Sequence, residues 1–172
     1  WVPGAPVYFA EPKLAPDGQS VAFLGRDLSY TPQGYTPDFY DLAVNRLEVA
    51  ALSAPSPGAR TAWIALDDGS ALARVLAWSP DGERLLYAQG WYEETQWESL
   101  TLKSVDRTGA VREYGPLTPP STLRDLAWCD ASLVLYVLWE AEAQRLFSLD
   151  LENGLETEIS AARRIEIVGC AP

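Results

Sequence analysis

The feature that most restricts how this chain can fold is a hairpin that recurs three times. In residues 76–87, Leu76, Ala77 and Trp78 on one side and Leu85, Leu86 and Tyr87 on the other flank Ser79-Pro80-Asp81-Gly82. Proline presets the backbone angle at the second turn position, aspartate hydrogen-bonds its local backbone, and glycine accepts the exit conformation. Residues 14–23 repeat the pattern, with Pro16, Asp17, Gly18 and Phe23 at the offsets of Pro80, Asp81, Gly82 and Tyr87. A degenerate copy, one residue shorter, spans 126–136, and Trp128 holds the place of Trp78. A chain with the same hairpin at matching points is built from repeats.

Short apolar blocks around these hairpins phase the chain into units of four strands. The first unit has strand signals at 7–14, 20–25, 46–52 and 59–66, the second at 73–78, 84–89, 99–105 and 111–114, and the third at 123–128, 133–139, 145–151 and 155–159. Asp106-Arg107-Thr108-Gly109 and Glu152-Asn153-Gly154 read as the turns before the last strand of units two and three. Residues 164–172 resemble the opening strand of a fourth unit. Thirteen prolines and twelve glycines leave few stretches long enough for a helix. Pro16 and Pro80 lie 64 residues apart and Trp78 and Trp128 lie 50 apart. Without the long insert of the first unit, this spacing is close to the ~40–50 residues of a four-stranded propeller blade. The expected fold is therefore all-β. It comprises about three propeller blades of four antiparallel strands (approximately 7–68, 69–118 and 119–160) and the start of a further blade at 161–172, in one domain spanning 1–172. A β-sandwich is the alternative, but it would not repeat one hairpin at one point of each unit.

Charge and residue usage narrow the chemistry. The net charge is −11, with 24 acidic and 13 basic residues, so no basic stripe exists to displace counterions from a nucleic acid. Histidine is absent, which removes the commonest general base and the commonest zinc ligand together. No window approaches the ~18 apolar residues of a membrane span. No G-x-S-x-G elbow, phosphate-binding glycine loop or Cys-x-x-Cys pair appears. Asp17 and Asp81 read as turn residues, and Asp67-Asp68-Gly69 lacks the spaced oxygens of a calcium loop. No metal, cofactor or catalytic residue is expected, and the chain is read as not an enzyme. It begins at Trp1, so it reads as a processed product or a segment of something longer.

Residues 76–87 resemble the "WSPDG…Y" signature of the TolB-like (PD40, WD40-like) β-propeller repeat, and residues 14–23 and 126–136 resemble it more loosely. That repeat occurs in the periplasmic protein TolB and in the gating propellers of prolyl oligopeptidase and dipeptidyl-peptidase relatives. The resemblance implies a propeller of six to eight blades. Three blades would then be completed by more chain, by further copies or by another subunit. It also implies a bacterial periplasmic or extracellular location.

In a propeller, the second-to-third and fourth-to-next connections of each blade emerge on one face. This places Tyr30, Tyr35, Phe39 and Tyr40 of the 26–45 insert beside Trp91, Tyr92 and Trp97 of the 90–98 connection, and beside Trp139. Aromatic side chains with polar tips are enriched where proteins bind partners. These eight are the candidate partner-binding residues; the competing reading is that they fold the inserts back onto their own blades. Cys129 and Cys170 fall at corresponding places in neighbouring first strands, expected to be farther apart than the ~7 Å Cα limit for a bridge. They are read as buried thiols, with a disulfide as the lesser alternative. The expected function is a non-catalytic interaction or scaffold module of the bacterial cell envelope. Its partner would be another protein or further copies of the chain. The alternatives are the gating propeller of a prolyl oligopeptidase-type serine peptidase, with its catalytic domain elsewhere, and a small-ligand or sugar-binding propeller.

Overall fold

A computed structural model describes residues 10–25, 44–52, 60–66, 70–93, 96–117, 122–140 and 142–170. Among them every regular element is a strand, twelve in all: β1 (Ala10–Leu14), β2 (Ser20–Gly25), β3 (Arg46–Ala51), β4 (Arg60–Ala65), β5 (Ala71–Trp78), β6 (Arg84–Glu93), β7 (Gln96–Asp106), β8 (Val111–Pro116), β9 (Thr122–Trp128), β10 (Leu133–Glu140), β11 (Ala143–Asp150) and β12 (Glu156–Ala162). They form three four-stranded antiparallel sheets, β1–β4, β5–β8 and β9–β12, each strand pairing with its neighbours in sequence. This is the arrangement of three propeller blades, a partial β-propeller.

The turns follow from their residues. The amide of Gly82 donates to the Ser79 carbonyl at 2.8 Å and that of Gly18 to Ala15 at 2.9 Å. The two glycines have φ of 72° and 67°, a region open to glycine at little cost. The third turn lacks a glycine and closes differently. Asp130 Oδ1 accepts from two amides, those of Ser132 and Leu133 at 2.8 and 2.7 Å, where Asp17 and Asp81 each accept from one, that of Gln19 and of Glu83.

Alternation along the strands divides the apolar residues between two cores. In β6, Leu85 and Tyr87 face the first blade, packing with Leu24, Leu47 and Val49. Leu86 and Ala88 face the third, packing with Val134, Tyr136 and Leu138 of β10. The middle blade is thus covered on both faces, which is why β6 reads as an unbroken apolar run rather than an alternating one. Leu85, Leu86, Leu102 and Val105 are fully buried, and truncating a buried leucine to alanine costs about 2–5 kcal/mol.

Polar contacts fix how the blades lie together. The Leu72 amide donates to the Val44 carbonyl at 2.7 Å, and Trp78 Nε1 donates to the Lys13 carbonyl at 2.9 Å. Trp63 meets Trp78 edge to face, with centroids 5.6 Å apart. Between the second and third blades, Arg112 donates to the Leu151 carbonyl at 3.0 Å, and the Arg84 guanidinium lies 4.6 Å from the centre of the Trp128 ring. Arg107 ties two turns of the second blade together through the Gly82 carbonyl at 2.9 Å and the Glu83 carboxylate at 3.0 Å, and reaches the first blade through the Asp17 carboxylate at 4.0 Å.

Two sequence expectations are corrected. The expected 90–98 connection is largely strand: β6 runs to Glu93 and β7 starts at Gln96, with Trp91 opposite Ser99 and Tyr92 opposite Trp97. The paired strands overhang the sheet, because β5 joins β6 only as far as Gly90 and β8 reaches β7 only as far as Thr101. Residues 163–170 form no strand. They cross the third blade, where the Ile165 amide donates to Gln144 Oε1 and the Ile167 amide to Asp125 Oδ2. Side chains of the third blade take the N–H groups that a neighbouring strand would have taken.

Candidate functional site

The eight aromatic candidates separate by burial. Trp91, on the overhanging part of β6, is 51% exposed. Trp97, across the same hairpin on β7, is only 8% exposed and packs in the core with Leu100, Leu117 and Leu123. Tyr92 lies in β6, its side chain outside the described set. Trp139, near the end of β10, is 41% exposed, and the Arg124 guanidinium sits 4.3 Å from its ring centre. Tyr30, Tyr35, Phe39 and Tyr40 lie outside the described residues. For Trp97 the competing reading prevails: strand alternation turns its ring inward, away from any partner. Trp91 and Trp139 remain at the surface, both near the ends of second strands and so on the same end of the arc, opposite the Pro-Asp-Gly turns.

Gly90 makes the overhang possible. A Cβ there would stand 1.7 Å from the Ser99 carbonyl oxygen and 2.9 Å from the Leu100 Cα, so only glycine lets the strands approach this closely.

At the turn end of the arc, the ends of β1, β5 and β9 and the segment at 169–170 enclose an open cleft of about 470 Å³, lined by Lys13, Leu76, Trp78, Trp128, Cys129 and Cys170 among others. Trp78 Nε1 is satisfied by the Lys13 carbonyl, whereas Trp128 Nε1 is buried without a hydrogen-bond partner. The cleft was missed in the sequence. Its signal is that Leu14, Trp78 and Trp128 occupy one repeat position, which the fold brings to one end.

Cys129 and Cys170 are joined in a disulfide, with Cα atoms 5.1 Å apart, inside the usual range. The expectation of buried free thiols is thereby overturned. Cys170 does not stand a blade-width away, because residues 163–170 run back over the third blade toward the end of β9.

Ser79 makes a buried serine–carboxylate contact that invites a nucleophile reading. Its hydroxyl donates to Asp81 and accepts from the Arg84 amide at 2.9 Å, and it is 1% exposed. The Ser79 hydroxyl and the Glu83 amide hold the Asp81 carboxyl below the usual carboxylate range, as suits a turn staple. Burial raises the Tyr136 hydroxyl, as does its bond to Glu156; burial and the Glu113 charge push Tyr87 up to about 12. Among the described residues no group of three or more His, Cys, Asp or Glu side chains is placed to hold a metal, and no helix is long and apolar enough to cross a membrane.

No protein-family model matches the chain, and no curated protein sequence matches it at a significant level. Solved structures do. A putative TolB from Agrobacterium tumefaciens is 14% identical with a TM-score of 0.61, over 93% of this chain and 51% of that one. A puromycin-hydrolyzing peptidase of Mycobacterium tuberculosis is 18% identical with a TM-score of 0.64, over 94% and 25%. An oligogalacturonate lyase in complex with manganese is 18% identical with a TM-score of 0.63, over 89% and 36%. The likeness establishes a TolB-like β-propeller fold, and the chain spans between a quarter and about half of the length of these proteins.

Proposed function

We propose that this chain is a non-catalytic propeller segment that binds another protein in the bacterial cell envelope. The observation that carries the reading is Trp91, a large aromatic side chain 51% exposed on a hairpin that overhangs its blade. An amphipathic ring held out on rigid backbone can bury much area on a partner at little entropic cost. Trp139, exposed at the same end, extends the surface. An extracytoplasmic setting is supported by the disulfide, since such bridges persist in oxidising compartments, and by the TolB-like neighbours.

The test is affinity capture from envelope extract with the protein and its Trp91→Ala variant, the captured protein being identified and its affinity then measured with purified material. A loss of about tenfold or more in affinity, the scale of an interface hot spot, supports the assignment; an unchanged affinity with Trp91→Ala overturns it. A second reading is the propeller of a serine peptidase, favoured by the likeness to the puromycin-hydrolyzing peptidase, of which this chain covers 25%. That reading requires a G-x-S-x-G elbow and a histidine elsewhere in the same polypeptide. Sequencing the whole gene decides it.

A further inference from the structure

We propose that the Cys129–Cys170 disulfide is a redox-operated latch: oxidised, it holds residues 163–170 across the outer face of the third blade, and reduced, it frees them while the three blades stay folded.

Little else holds the segment. Two of its amides reach the blade, Ile165 to Gln144 at 2.5 Å and Ile167 to Asp125 at 2.9 Å. Ile165 and Ile167 are half-buried, Arg163, Arg164, Glu166 and Gly169 are exposed, and Val168 is 96% exposed. The Arg164–Glu166 ion pair lies within the segment and ties it to nothing. Ordering eight residues costs more conformational entropy than two hydrogen bonds and two half-buried isoleucines return. The covalent bridge supplies the difference by keeping the segment at high effective concentration over the blade.

The blades do not need the segment. Neither interblade core contains any residue from 163–170, and the third sheet is closed by β9 to β12 alone. The segment does cover something apolar. Val137 is fully buried yet belongs to neither core. Alternation along β10 turns it away from Tyr136 and Leu138, and its register partners are Asp125 and Leu146. Asp125 is also the residue that accepts from Ile167, so the segment lies over this face.

The bridge is reachable. Both cysteines are half-buried and line the open cleft at the turn end of the arc. A dithiol reductant attacks one sulfur as its thiolate and forms a mixed disulfide; its second thiol then displaces the other cysteine. The S–S bond gains two electrons and two protons, leaving two thiols on the protein and a cyclic disulfide on the reductant.

The test uses the whole 172-residue chain, purified without reductant, then treated with dithiothreitol, beside a Cys170→Ser variant. Intact mass and thiol titration count the bridge, and amide hydrogen exchange reads the segment. On reduction, exchange at Ile165 and Ile167 is expected to accelerate by about tenfold or more, while Leu86 and Leu102 in the middle blade keep their protection, as expected of a local opening. Cys170→Ser should exchange like the reduced protein. Three results overturn the latch. Two free thiols before reduction would mean that no bridge forms. Unchanged protection at Ile165 and Ile167 would mean that the segment is held without it. Loss of protection at Leu86 together with the segment would make the bridge a staple of the whole fold.

Discussion

Trp91 and Trp97 lie on the two strands of one hairpin only a few residues apart, yet truncating them should have opposite consequences. Trp97 is 8% exposed among Leu100, Leu117 and Leu123. A tryptophan buries roughly 150–250 Å², which at ~25 cal/mol per Å² amounts to about 4–6 kcal/mol. The alanine left behind retains a little of that, so Trp97→Ala should cost about 3–5 kcal/mol, the range seen for large aromatic residues in cores. Trp91 is 51% exposed and belongs to neither core, and its truncation should stay within ~1 kcal/mol. Urea unfolding followed by circular dichroism measures both. With a slope of roughly 2 kcal/mol per M, Trp97→Ala should lower the midpoint by about 2 M and Trp91→Ala by less than ~0.5 M. Partner capture should follow the reverse order at concentrations where both variants are folded, with Trp91→Ala the weaker binder. Equal midpoint shifts, or a Trp97→Ala shift below ~0.5 M, would refute the division of this hairpin into a packed face and a free one.

Gly90→Ala should cost at least ~2 kcal/mol and expose Trp97 to solvent, seen as a red shift in its fluorescence, because the added Cβ meets the Ser99 backbone at 1.7 Å. Asp130→Ala removes the acceptor for two amides in a turn without glycine, and chemical denaturation should show a lowered midpoint; Asp17→Ala, which loses one amide contact to Gln19 and an exposed ion pair with Arg107 at 4.0 Å, should lose less. The Asp81, Asp106 and Asp130 carboxyls are all held below their usual value of 3.8 by hydrogen bonds within their turns. Their contribution is therefore complete above about pH 4 and is lost as pH falls through their lower folded values, so acid titration should show stability declining only below that pH. Tyr87 and Tyr136 are both raised above 10. Stability should hold below pH 10 and fall above it, where the unfolded chain ionises these hydroxyls and the folded one does not; tyrosinate absorbance at these two positions should lag and then appear together with unfolding.

Much of the blade pattern could be read locally because strand ends and turns are local chemistry. The β2 bounds were legible to the residue, since Gly18 and Gly25 bracket an apolar run. The turns at Pro80-Asp81-Gly82 and Asp130 declare themselves through residues that satisfy their own backbone. The overhang of β6 and β7 was not legible. A glycine followed by a mixed aromatic and acidic stretch has the composition of a connection, and only the cross-strand approach at Ser99 shows that Gly90 is there to let two strands close. The same limit applied to the aromatic candidates. Composition marks a tryptophan as able to bind, but whether its ring points outward, as at Trp91, or inward, as at Trp97, depends on a pairing register that no local pattern specifies.

The cysteines failed for a different reason, and the reason bears on the candidate cleft. The distance limit applied to them was sound; the spacing fed into it was not. Sheets stacked face to face lie ~10 Å apart, and equivalent residues on two such sheets cannot be bridged. First strands in this arc do not keep that spacing. β5 lies beside both β1 and β9, and the Trp78 indole crosses directly to the Lys13 carbonyl at 2.9 Å. Cys170, moreover, lies on no first strand: residues 163–170 run back over the third blade, so Cys170 meets Cys129 at the end of β9 with 5.1 Å between their Cα atoms. The convergence brings the interblade tryptophan contact to the open cleft, and the returning segment brings the disulfide to the same cleft. A change that splays the first strands, such as replacing Trp78 with alanine, should widen the cleft that the bridge lines, and faster reduction of the bridge in that variant would be its most direct sign.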